Sequence, residues 1–147
     1  MSGNSRREAA TADIVARTGL DEAMIERLVD GFYAKVRDDA VLGPIFAARI
    51  VDWTPHLARM CAFWSSVALM TGRYHGRPMA MHAPLPVSAA HFDRWLQLFA
   101  ETANDVCPPP AAAHVIERAK LIAMSLEHGI AMHRGLALGI GERLPTN

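Results

Sequence analysis

Two of the seven histidines sit where an imidazole could face an apolar guest. His56 follows Thr54-Pro55 and shares its helical face with Met60 and Phe63. His82 lies in a short proline-bounded segment beside Met81, Ala83 and Leu85. Taken alone, an imidazole on an apolar face fits a hydrogen-bonded core residue better than a ligand. Two such rings do not make a zinc centre, which asks for three or four convergent ligands. Haem iron asks for one protein ligand and a large apolar slot. The lack of a third strong ligand therefore weighs toward haem.

Other polar residues read less sharply. Tyr33 follows Phe32 on a buried stripe, and a buried phenol needs a hydrogen-bond partner. It reads more readily as a core tyrosine whose hydroxyl reaches the surface, and Trp95 likewise as simple core. His114, His128 and His133, on the last helix, are expected in solvent, as is His91 in a first helical turn. His75, between Tyr74 and Gly76, belongs to the surface or a rim. Cys61 and Cys107 lack metal-type spacing and are expected to stay reduced.

The elements that must position these residues are helical, and no segment reads convincingly as strand. From Asp21, an acidic first turn leads into a stripe of Ile25, Leu28, Val29, Phe32 and Val36. Pro44 begins a corner or short helix around Ile45 and Phe46. A helix opening at Thr54-Pro55 and ending at Gly72 carries His56, Met60, Phe63 and Val67. Residues 72–87 are loop-rich, with a turn or two of helix around Met79–Ala83 before Pro84. Ser88 is expected to cap the next helix, with Val87 and Phe92 as a hydrophobic staple. Its stripe of Phe92, Trp95, Leu96, Phe99 and Val106 stops at Cys107-Pro-Pro-Pro. A last helix carries Val115, Ala119, Ile122, Leu126 and Ile130 and ends near Arg134-Gly135. The fold class is all-α, one domain over 1–147, with loosely held ends at 1–12 and 136–147.

Composition excludes several roles. Fifteen basic residues balance fifteen acidic ones in 147, so no net field favours nucleic acid or an anionic membrane. The apolar passages are broken well before the roughly 20 residues that cross a bilayer. The polar N-terminus leads into no hydrophobic run of signal-peptide length, and a cytoplasmic protein is expected. Eight Met and three Trp suit an irregular apolar cavity or a plastic core.

The string Phe32-Tyr33-x-Lys35-Val36-Arg37-x-Asp39, followed by Leu42-Gly43-Pro44-Ile45-Phe46, resembles the B and C helices of truncated haemoglobins. Trp53-x-x-His56, Phe63-Trp64, Tyr74-His75-Gly76-x-Pro78-x-x-x-His82 and Phe92-x-x-Trp95-Leu96-x-Leu98-Phe99 continue that pattern in order. Helix-borne His56 with Phe63-Trp64, and single rather than paired glycines between helices, are most similar to group III. The longer N-terminus and the Gly-containing tail depart from the pattern. The resemblance implies a globin-like, two-over-two helical sandwich around haem b. It implies His82 as proximal ligand, Tyr33 as distal tyrosine, His56 as distal-helix histidine and Trp95 as distal tryptophan. Phe32, Phe46, Met60 and Phe63 would pack near the haem, and Arg59 would reach a propionate.

Two roles stay open at this point, with a haem-free helical interaction module as a remote third. One is tight binding of O₂ or another diatomic ligand at five-coordinate iron, with His56 as a movable gate. The other is enzymatic, NO detoxification or peroxide reduction. With no Gly-rich nucleotide motif in the chain, a separate reductase would have to supply its electrons.

Overall fold

The computed structural model describes residues 3–82 and 84–145. They form seven helices and no strand: α1 (Gly3–Thr18), α2 (Glu22–Asp38), α3 (Gly43–Arg49), α4 (Trp53–Leu69), α5 (Pro78–His82), α6 (Ala89–Val106) and α7 (Pro109–His133). None is long and apolar enough to cross a membrane. Ala83, where the sequence carries the short helix to its end, lies outside the described residues.

Helix α2 starts where expected, with the Asp21 carboxylate accepting from the Met24 N–H at 2.8 Å. Its buried stripe is Ile25, Leu28, Val29, Phe32, Tyr33 and Val36. Asp39 closes its far end and accepts from the Val41 and Leu42 N–H groups at 3.1 and 2.9 Å. The chain then turns into α3 through Gly43, where an added Cβ would sit 2.8 Å from the Arg37 carbonyl oxygen. That close backbone approach leaves room for no side chain.

Helix α4 begins two residues before the expected start, with Thr54 as cap and Pro55 as first helical residue. Asp52 is the cap, accepting from the Thr54 N–H at 3.3 Å. Its end also comes earlier, at Met70 in the left-handed region with φ 59°, rather than at Gly72. Ser88 caps α6 as the sequence suggests, and Val87 and Phe92 share one buried cluster.

Two stretches expected to be loose are built into the fold. Residues 3–12 belong to α1, whose Thr11 hydroxyl donates to the Leu69 carbonyl at 2.6 Å and whose Ile14 is buried. In the tail, Leu144 is only 2 % exposed and its carbonyl accepts from the Ala89 N–H. Periodicity cannot see either anchor, because each rests on one or two residues packing against distant helices.

Helix α2 packs on α4 and α6, and α6 packs along α7, so two helix pairs stack face to face. The main core lies between α2, α4 and α6, with Trp64 stacked on Phe99 at 4.7 Å between ring centroids. A second cluster gathers Val87, Phe92, Ala123, Ile130, Ala131 and Leu144. Trp95 and Leu96 pack against both clusters and join them.

Candidate functional site

Residues of both clusters line a cavity of about 190 Å³. Helices α2, α3, α4, α5, α6 and α7 all contribute to its lining, which is mostly apolar: Phe46, Met60, Phe63, Trp64, Phe92, Trp95, Ile122 and Leu126. Polar groups reach it from Tyr33, His56, Arg59, Tyr74, His82 and His91. Few polar groups in an apolar enclosure is the make-up of a small-molecule or cofactor site.

The three histidines of the lining differ in their proton placement. His82 Nδ1 lies 2.6 Å from the Pro78 carbonyl oxygen. A carbonyl only accepts, so Nδ1 carries the hydrogen and the Nε2 lone pair is left for a metal. His91 is the reverse case. Its Nδ1 accepts from the Ser88 backbone N–H at 2.9 Å, with the Ser88 hydroxyl at 3.2 Å. In the neutral ring Nε2 then holds the hydrogen, so His91 is a donor and no iron ligand. The expectation of a solvated His91 is corrected: it closes the first turn of α6 and lines the cavity.

His56 belongs to neither case. Its Nε2 is buried and has no hydrogen-bond partner. Its ring meets Tyr33 edge-on at 5.2 Å and Trp53 at 5.6 Å. Burial, followed by the nearby positive charges of Arg59 and His82, pushes its pKa below the ordinary imidazole value. The ring is therefore neutral and its buried nitrogen unpartnered, a cost that a guest in the cavity would relieve. Tyr33 stands beside it on α2, 6 % exposed, and burial pushes its phenol well above the usual range. The hydroxyl therefore keeps its hydrogen and acts as a donor.

Among the other sequence candidates, Phe46, Arg59, Met60, Phe63 and Trp95 line the cavity. Phe32 does not. It is 1 % exposed and lies one layer behind, with Tyr33, Trp95 and Phe99 packed against its ring at 5.0–5.4 Å. It holds Tyr33 and Trp95 in place. His75 sits in an exposed groove with Arg73 and Arg77 beside the cavity. His114, expected in solvent, is instead half-buried, with Nε2 2.7 Å from the Ala68 carbonyl. Tyr74, Ile122 and Leu126 also line the cavity, the latter two as the inner face of the stripe already visible on α7.

Among the described residues, no group of three or more His, Cys, Asp or Glu could hold a metal ion. A prosthetic group that brings its own ligand ring fits this set: one pinned imidazole, an apolar slot and an orphaned polar nitrogen. The sequence model of the bacterial-like globins matches residues 14–127. A group 3 truncated haemoglobin from Campylobacter jejuni is 33 % identical over 121 residues, covering 79 % of this chain and 95 % of that one. The chain belongs to the group III truncated haemoglobins.

The structural likeness agrees. The crystal structure of the group III truncated haemoglobin from Campylobacter jejuni superposes with a TM-score of 0.70 at 32 % identity, covering 84 % of this chain and 95 % of that one. A truncated oxygen-avid haemoglobin from Bacillus subtilis follows at 0.63 and 25 %, covering 74 % and 94 %. The all-α fold is thus that of the truncated haemoglobins, and the cavity lies in a haem-binding globin fold.

Proposed function

We propose that this truncated haemoglobin holds haem b through His82 Nε2 and binds O₂ or a related diatomic ligand tightly at five-coordinate iron. The observation that carries the reading is the Nδ1–H of His82 held on the Pro78 carbonyl, which leaves Nε2 as the cavity's available lone pair. When bound, the haem supplies the iron on which the diatomic guest sits.

The chain's own residues would do the rest. Tyr33 O–H and Trp95 N–H donate hydrogen bonds into the space the guest occupies, each stabilising by about 1.5–3 kcal/mol if the acceptor carries charge. Phe46, Met60 and Phe63 exclude water from it, and exposed Arg59 is placed at the rim for a haem carboxylate. Neutral His56, near the start of α4, swings as a gate rather than ligating iron. The oxygen-avid relative from Bacillus subtilis supports tight binding. A cytoplasmic setting is supported by two free thiols, Cys61 and Cys107.

The orphaned Nε2 of His56 favours a second reading, NO detoxification or peroxide reduction with electrons from a separate reductase. There the neutral imidazole accepts a proton from the incoming peroxide.

The test is His82→Gly. Haem occupancy and the ferrous iron–histidine stretching band are expected to be lost, and added imidazole should restore the band. Full occupancy with the band unchanged would exclude His82 and make His56 the ligand.

A further inference from the structure

We propose that the C-terminal segment 136–145 is a strap that positions the iron-ligating segment, with Arg143 and Leu144 as its positioning residues. The proposal rests on His82 as the iron ligand. The family match ends at Glu127, so the strap lies beyond the part of the chain that the family model describes.

Helix α5 is five residues long, too short to keep its own position. The connection from His82 to α6 is tied instead. Leu85 N–H donates to the His82 carbonyl at 3.0 Å, and the Leu85 carbonyl accepts from Arg134 at 2.8 Å. Four residues on, the Ala89 N–H donates to the Leu144 carbonyl at 2.9 Å. The strap therefore grips the first residue of α6.

Arg143 fastens that grip. Its Nε donates to both carboxylate oxygens of Glu127 on α7, at 3.0 and 2.9 Å, and its Nη2 to Asp93 on α6 at 2.8 Å. The Glu127 side chain is 5 % exposed, and no other cation is paired with it among the described residues. Without Arg143 a buried carboxylate loses its counter-charge. Leu144 acts from the other side. It packs with Val87, Phe92 and Ala123, and each of these also lines the cavity. One tail residue thus backs part of the cavity wall without lining the cavity itself.

The strap accordingly sets how firmly His82 is held against iron. The holoproteins of Leu144→Ala and Arg143→Gln test this by haem transfer to an excess of a scavenging apoglobin and by resonance Raman of the ferrous form. Haem loss is expected to speed up about tenfold or more, with the iron–histidine stretch broadened or shifted. Leu144→Met and Arg143→Lys should recover most of both. The carbon monoxide stretch, which reads the Tyr33 side, should stay unchanged. Ile14→Ala, a buried position away from the cavity, serves as the control for stability loss alone. Should Leu144→Ala fail to fold, Arg143→Gln, at a half-exposed side chain, carries the test.

Transfer rates within twofold of wild type and an unmoved stretch in the strap variants would overturn the proposal. So would an equal effect in Ile14→Ala. Failure of the His82 assignment looks different, because the band would then survive in His82→Gly whatever the strap does.

Discussion

Tyr33 and Trp95 both line the cavity, and Phe32 lies against both of their rings. On the proposed reading the two donors would share one acceptor, so removing either would leave the other to compensate in part. Tyr33→Phe and Trp95→Phe are each expected to speed O₂ release, by about tenfold if the lost bond is worth near 1.5 kcal/mol. The double variant should fall short of the product of the two effects. Stopped-flow measurement on the four proteins checks this, and single-variant rates within twofold of wild type would reduce both residues to packing. His56 and His82 stand out by type and spacing, whereas Tyr33 and Trp95 read as core and enter the site only through the family resemblance. The protonation of the histidines was not legible. A carbonyl beside His82 and an N–H beside His91 give the two rings opposite tautomers, and no spacing rule reports which backbone group a ring will meet.

The corner between α2 and α3 carries the element-scale prediction. Asp39 ends α2, accepts from two N–H groups of the turn and pairs with Arg94 of α6 at 2.7 Å. The Arg94 hydrogen bond, followed by that from the Leu42 N–H, holds its carboxyl below the ordinary carboxylate value. A depressed folded pKa means the unfolded chain binds the proton first. The contribution is therefore fully present above the ordinary value of about 4 and is lost as pH falls through the lower folded one. Asp39→Asn should lower the thermal midpoint at pH 7 and lose that deficit in strong acid. A constant deficit from pH 7 to pH 2, followed by circular dichroism, would show that the charge plays no part. Helix existence was legible from the stripes in α2, α4, α6 and α7. The two-residue shift at the start of α4 was not, because Asp52 and Thr54 are both good caps and the backbone at Asp52 decides between them.

At the scale of the molecule, the two ends of the chain are both anchored but to different parts. Helix α1 packs on α4 and α7, and none of its residues lines the cavity. The tail packs on the cluster that forms part of the cavity wall. Ile14→Ala should thus cost about 2–5 kcal/mol in urea unfolding and leave haem loss and O₂ release unchanged. A haem-loss rate raised as much as in Leu144→Ala would mean that the cavity senses global stability rather than its own wall.

Helix content, the order of the elements and the cofactor-facing residue types follow from apolar spacing, prolines and caps, all of which act over a few residues. The sequence alone therefore determined an all-α chain with one histidine on a proline-bounded segment and another on the preceding long helix. Tertiary structure decided that Phe32 backs the site rather than lining it, that His91 turns inward to cap α6, and that Leu144 closes the second cluster. The Phe32 and Leu144 outcomes depend on contacts between residues far apart in the chain, and that of His91 on which way its ring turns toward Ser88. A single buried leucine or one capping ring has no period to announce it.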